Sequence, residues 1–312
     1  MRNLEDFLTS TDGHKIGYYK WIPEAPVIRG VIQVSHGMAE HAGRYRVLAE
    51  HFCAQGYAVV AHDHRGHGRS IANGHTGHYA DRDGWDKVAS DLLFMANQIK
   101  SWHPDVPHFL FAHSMGSFIS LQCLIAHRPP FHGVILSGSN YGAPLKYLAA
   151  AAIARAEKLR LGARSASRLL DQLSFGSFNH RFAPNRTEFD WLSRDPAEVD
   201  NYINDPWCGF ICTTATWIAL LDGLRSIFTP ASFSRINPNL PIYLIAGDKD
   251  PVGEFGKGVR KLERHLREAG VRDLSCTLYP DGRHEMLNEI NRQQVLNDLS
   301  SWVAAHTPLQ TR

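Results

Sequence analysis

The chain has 312 residues, of which 44% are hydrophobic and 21% charged, with 33 Lys+Arg against 31 Asp+Glu. That composition supports a sizeable core and excludes wholesale disorder, and a net charge of +2 offers no footprint for nucleic acid. The length fits one large α/β domain with an insertion, or two domains of about 150 residues.

In chain order, residues 7–22 read as a strand pair turned at Asp12-Gly13, a common hairpin dipeptide. Residues 31–34 read as a strand, followed by a helix near 42–55 that stops at Gly56. Residues 57–61 give the next strand. A longer helix then carries Trp85, Val88, Leu92, Met95, Ile99 and Trp102, an apolar stripe spaced 3, 4, 3, 4, 3. Strand 109–112 leads into a helix from Met115 that is apolar almost all round, which predicts burial. Strands follow at 134–136, 242–246 and 274–279, with a helix ending at Ala269-Gly270 and a last one running to about Val303. Such alternation predicts an α/β fold with a mostly parallel central sheet and helices on both faces. The basic stretch 257–272 holds Glu263 four residues before Arg267 and reads as a solvated helix face.

One segment breaks the rhythm. Residues 140–240 separate two strands, where a crossover needs only about a dozen residues. The segment opens with an Ala-rich helix over 145–161, and residues 175–217 hold nine aromatics in 43 positions, against 32 in the whole chain. This predicts a core of 1–139 and 241–312 with a helical lid inserted over 140–240. The aromatics form either an ordinary subdomain core or an apolar lid wall over a site at the sheet's carboxyl edge, and the two readings are compatible.

The chemistry centres on Phe111-Ala112-His113-Ser114-Met115-Gly116-Ser117. Ser114 leaves a strand and enters a buried helix, with small residues two positions to either side, as a nucleophile elbow requires. A serine hydroxyl needs a base and the base an orienting acid, and on this template both follow the serine in the chain. His284, in the loop after the last strand, is the expected base. Asp250 is the expected acid in preference to Asp248, because it lies farther into its loop and reaches that histidine, while Asp248 caps the turn. Asp281 reads as a local contact of His284. The oxyanion donors expected are the backbone N–H groups of Met115 and Met38.

At these residues the chain resembles a known family. Residues 36–45 (HGMAEHAGRY), residues 63–70 (DHRGHGRS), His113-Ser114-Met115-Gly116 and Arg283-His284-Glu285 are similar to the α/β-hydrolases called monoacylglycerol lipases and lysophospholipases. The resemblance covers nearly the whole chain and is tighter in the catalytic half than in the lid. It implies the α/β-hydrolase fold and Ser114, Asp250 and His284 as a triad, with Met38 and Met115 as oxyanion donors. The implied chemistry needs no cofactor and no metal. The implied partner is a small-molecule lipid ester losing one acyl chain, from a monoacylglycerol or a lysophospholipid. Glu40 and Arg44 are expected either to face the polar head of the substrate or to pair with each other. Ala112 and Ser117 replace glycines usual in the motif, which keeps other esterases and thioesterases in view.

Two further readings fit the same residues less well. A ligand-binding receptor on the same fold has no need of Asp250 and His284, and a purely structural scaffold would need a large exposed apolar patch. The run His62-Asp63-His64-Arg65-Gly66-His67, with His75 and His78 nearby, lacks the aspartate of a hydrolase zinc motif and reads as turn residues. Gly66-x-Gly68 lacks a third glycine, and Cys208 with Cys212 reads as one helical turn in the core. Five scattered cysteines, an N-terminus with no apolar run and no 18-residue apolar stretch predict a reduced, cytoplasmic protein. An aromatic lid predicts an acyl-chain tunnel and transient contact with a membrane or micelle surface.

Overall fold

The structure, a computed structural model, describes residues 1–308. Short apolar runs bounded by turns become eight strands in one sheet. β1 (Arg2–Thr9) and β2 (Lys15–Ile22) form the antiparallel hairpin turned at Asp12-Gly13. β3 (Gly30–Ser35), β4 (Tyr57–His62), β5 (His108–His113), β6 (Gly133–Ser137) and β7 (Ile242–Gly247) are buried at every residue, and β8 (Leu274–Tyr279) closes one edge. The order is β1-β2-β4-β3-β5-β6-β7-β8, with β2 antiparallel to β4 and every later pair parallel. Strands covered on both faces need no polar side, which is why their sequences are mostly apolar, with polar residues such as Gln33 the exception.

Alternation along β5 splits the core. Leu110 and Ala112 point to one layer and Phe109 and Phe111 to the other. The Phe109 layer is covered by α1 (Arg46–Cys53) and, much later in the chain, by the closing helix over residues 292–305. The Leu110 layer is covered by α2 (Gly84–Trp102) and α3 (Met115–Ala126), the latter buried on nearly every side as its composition predicts. The stripe residues Trp85, Val88, Leu92, Met95 and Ile99 all face inward from α2.

The single helix expected over 42–55 is instead a 3₁₀ turn, Ala42–Tyr45, followed by α1. His41 causes the break: its Nδ1 accepts from the Gly43 N–H at 3.2 Å, capping a tighter turn first. Cys208 and Cys212 keep to the core, Cys212 buried and Cys208 packed against Trp191, Leu192 and Tyr202, but they do not form the expected helical turn. They lie in an irregular stretch between helices, where the Cys208 N–H closes a turn on the Asp205 carbonyl and the Gly209 N–H reaches the Ala39 carbonyl, both at 3.0 Å.

Between β6 and β7 the insert contributes α4 (Pro144–Leu161), α5 (Pro196–Asn204) and α6 (Thr214–Ile227), with α4 lying along α6. Short helical turns over residues 168–182 join α4 to α5. After β7, α7 (Lys257–Glu268) buries only Gly258, Val259, Leu262 and Leu266, and Glu263 pairs with Arg267 at 2.9 Å on its solvated face. The last helix is α8 (Arg292–Ala305).

Candidate active site

Ser114 stands between the end of β5 and the start of α3 at φ 50°, ψ −120°, a costly conformation for a residue with a side chain. Its surroundings hold it there. The Ser114 N–H donates to the Ser137 carbonyl of β6 at 2.8 Å, and its own carbonyl accepts from the Ser117 hydroxyl at 2.6 Å. A Cβ on Gly116 would sit 2.2 Å from the Ser35 carbonyl oxygen, so the close crossing of α3 over β3 demands glycine there. The two departures from the usual motif are thus explained: the Ala112 methyl packs in the core, and the Ser117 hydroxyl braces the elbow.

The acid and the base come from loops after β7 and β8. His284 Nδ1 donates to Asp250 Oδ2 at 3.0 Å, since a carboxylate can only accept. Asp250 is fully buried, and its other oxygen accepts the Val252 N–H at 2.8 Å. Asp248 takes the turn position, accepting the Asp281 N–H at 2.9 Å and lacing the two loops together. Asp281 itself is exposed and lies 3.9 Å from the Lys249 ammonium, so it pairs with that lysine and not with His284. Burial alone would lower the pKa of His284, but the charge and hydrogen bond of Asp250 outweigh it and hold it above the ordinary histidine value.

Ser114, His284, Met38 and Glu40 line one cavity of about 720 Å³. Among the described residues no protein group engages Ser114 Oγ or His284 Nε2, and the amides of Met38 and Met115 are equally unused. The Met115 thioether accepts from the Tyr79 hydroxyl at 2.6 Å, which fixes the first residue of α3.

Glu40 and Arg44 meet each other and a third residue that no spacing in the sequence announced. Arg44 bonds Glu40 at 2.7 Å and Glu285 bidentately, with both distances 2.7 Å. Glu40 also accepts from the Tyr45 hydroxyl at 2.9 Å and from the Gly37 N–H. Burial pushes Glu285 up, yet Arg44 dominates and holds it at about 2. The guanidinium is therefore spent on two carboxylates, while Glu40 and Glu285 stay on the cavity wall. Removing one partner of such a buried set costs about 3–5 kcal/mol.

The cavity wall is mixed. Met38, Phe175, Trp191, Leu192, Phe210 and Ile211 give apolar surface, as the aromatic density suggested. Arg168, Asp171, Gln172, His180, Asn185 and Glu188 add a polar rim that periodicity could not reveal, because they sit on helical pieces of five residues or fewer and on the irregular stretch after them. Burial, then the nearby Glu188, raises the Asp171 pKa.

Among the described residues, one trio offers ligand atoms within 4.8 Å of one another: His41, Asp205 and Cys208. Its members are already engaged. His41 Nδ1 accepts from the Gly43 N–H, so Nε2 carries the proton and donates to Asp205 at 2.8 Å, and burial pushes the Cys208 thiol up, away from thiolate. His62, His64 and His67 are buried beside the sheet, with His36 Nε2 accepting the His64 N–H at 2.9 Å.

Comparison with known proteins places the chain among similar hydrolases. A family model described as "Serine aminopeptidase, S33" matches residues 26–291. A monoacylglycerol lipase of Mycolicibacterium smegmatis is 28% identical over 97% of both chains. A monoglyceride lipase of Mus musculus is 30% identical over 95% of this chain and 89% of its own. A solved structure of a thermostable carboxyl esterase from Bacillus coagulans, in complex with glycerol, superposes with a TM-score of 0.88 at 27% identity, covering 99% of this chain and 100% of that one.

Proposed function

The chain belongs to the serine aminopeptidase S33 family of α/β-hydrolases, and from that premise we propose that it is a carboxylic ester hydrolase that splits monoacylglycerols through an acyl-enzyme. The observation that carries the reading is the His284–Asp250 hydrogen bond, made between two loops beside a serine held in a strained elbow on the same cavity. Ser114 Oγ attacks the acyl carbonyl carbon while His284 Nε2 takes its proton, and Asp250 stabilises the imidazolium. The Met38 and Met115 N–H groups receive the oxyanion, a donor pair of the kind worth about 10²–10³ in rate per member. Protonated His284 then hands the proton to the departing glycerol oxygen. Water enters, His284 deprotonates it, and a second oxyanion collapses to release the fatty acid and restore Ser114. The contact between nucleophile and base tightens as substrate displaces water, as is common at such sites.

The wall supports the choice of a neutral head group. Glu40, Glu285, Asp171 and Glu188 stand on it, against the guanidiniums of Arg168 and, behind Glu40, Arg44. Four carboxylates against two cations repel a phosphate, which disfavours lysophospholipids and leaves glycerol, an uncharged donor of hydrogen bonds.

In this reading residues 140–240 act as the lid over the site. The outer surface of the lid supports transient docking on a lipid surface. Leu145 and Leu159 on α4 are 79% and 90% exposed, Leu148, Ile153, Leu169 and Leu173 are exposed near them, and Lys146, Arg155, Lys158 and Arg160 lie between. No helix of the described residues is long and apolar enough to cross a membrane. Five free thiols support a cytoplasmic location.

A fluorophosphonate tests the nucleophile. The wild-type protein is expected to gain one adduct, mapped by mass spectrometry to Ser114, and Ser114→Ala to gain none. Labelling elsewhere, or none in the wild type, would refute the assignment.

A further inference from the structure

We propose that Trp191, carried on the insert, is a positioning residue for His284: its indole face holds the imidazole in the orientation that the Asp250 bond demands and favours the protonated ring. This rests on the triad reading above and goes beyond it, because it makes part of the lid a working member of the catalytic apparatus.

The geometry starts at the backbone. The His284 N–H donates to the Trp191 carbonyl at 3.4 Å, and the Glu285 N–H to the Leu192 carbonyl at 2.8 Å. The Arg283 guanidinium donates to the Asp190 carbonyl and to the Ser193 carbonyl, the latter at 3.1 Å. Glu289, fully buried, accepts from Arg194 Nε at 2.9 Å and from the Arg283 N–H at 2.9 Å, so one carboxylate grips both segments. The Ser193 hydroxyl adds a bond to the Asn288 carbonyl at 2.8 Å. Residues 190–194 are thus fastened to the loop that bears His284 and do not hang as a flap.

The side chains complete the case. The Trp191 and His284 rings lie 5.0 Å apart between centroids and are inclined at 34°. The indole is itself held, stacked on Phe175 at 5.6 Å and 13° and packed against Phe178 at 5.2 Å, and the Trp191 backbone N–H donates to Asn179 Oδ1 at 3.0 Å. A cation within about 6 Å of an indole face is attracted by the ring, and most strongly where water is excluded. Other groups also face His284. Asp250 bonds it, the neutral ring of His113 lies 4.6 Å away, and Glu285 and Glu40 add negative charge that Arg44 partly cancels. Trp191 is the aromatic group the insert adds to that set. During catalysis the imidazole becomes imidazolium, and the indole then faces a positive charge.

The test is the pH dependence of kcat/KM for monooleoylglycerol and for p-nitrophenyl acetate. Trp191→Leu keeps the site dry but removes the π face. It is expected to move the acid limb to lower pH by about half a unit for both substrates and to cut kcat about tenfold, with Trp191→Phe lying between leucine and wild type. Should the leucine variant fail to fold, wild-type protein grown on mono- and trifluorinated tryptophan keeps the shape while draining the ring, and the limb is expected to fall with each added fluorine. An unmoved limb, with only a raised KM for the oleoyl ester, would overturn the inference and leave Trp191 as plain wall. Turnover surviving in Ser114→Ala would overturn the triad reading and this inference with it. An unmoved limb in a Ser114-dependent enzyme would overturn this inference alone.

Discussion

Asp250 and Asp248 sit two positions apart and do unlike work. Asp250 is buried against His284, whereas Asp248 holds the neighbouring loop through the Asp281 N–H. With His284 held above its ordinary value, kcat/KM is expected to fall as pH drops through a limb above about 6.5. Asp250→Asn removes the charge that raises it, so the limb is expected to move to lower pH and kcat to fall about 10⁴-fold, because the amide also favours the wrong tautomer. A profile of kcat/KM between pH 5 and 9 checks both, and an Asn variant with wild-type turnover would refute Asp250 as the orienting acid. At this scale the sequence was legible wherever chemistry forces a local pattern. Ser114 had small flanks and a buried helix behind it, and His284 and Asp250 each followed a strand. Glu285 as the second partner of Arg44, and Trp191 against His284, were not legible. They meet residues 241 and 93 positions away in the chain, and no periodicity encodes such distances.

At the scale of elements, strands and long helices followed from their apolar periods, and the short turns of the insert did not. Residues 168–182 form brief helical pieces whose side chains face a cavity and not a core, so no apolar stripe marks them. These turns carry the polar rim that tempers the apolar tunnel expected from the aromatic count. Asp171 stands there, with Glu188 close by from the turn just beyond, and their charge is expected to exclude phosphate. Asp171→Asn is expected to raise kcat/KM for oleoyl-lysophosphatidate by up to about fivefold, the scale of a partly exposed charge, and to leave monooleoylglycerol within about twofold. Equal changes for both lipids would remove the rim from the account of head-group choice. The ties at residues 190–194 and the bond from the Tyr202 hydroxyl to the Ala39 carbonyl at 2.9 Å show a further property of the insert. One of its segments is tied to the histidine loop and another to the loop bearing Met38, which is the geometry that the proposed role of the insert in catalysis rests on.

Taken whole, the molecule stores several neutral histidines in its interior. Burial lowers His62, His67 and His113 to about 4 and His108 to about 3. The unfolded chain would bind protons at these sites near pH 6.5 while the native fold resists. Their contribution to stability is thus fully present above about 6.5 and is lost as pH falls toward 4, at about 1.4 kcal/mol per pH unit for each group. The raised value of His284 works in the opposite sense for one group. Thermal midpoints are expected to stay level from pH 8 to 7 and to fall steeply from 6.5 to 5. His62 has no partner on either ring nitrogen among the described residues, so His62→Leu is expected to soften that fall. A midpoint unchanged down to pH 5 would refute the neutral-histidine interior.

The sheet, the two loops at its carboxyl edge and the insert converge on one cavity, which Ser114 and His284 both line. The most direct measurement is fatty-acid release from monooleoylglycerol by the wild-type protein and by Ser114→Ala. Rapid release by the wild type is expected, and a loss of about 10⁴-fold or more in kcat in the variant with its fold retained. Comparable release by both proteins, or none by a wild type that a fluorophosphonate fails to label, would contradict it.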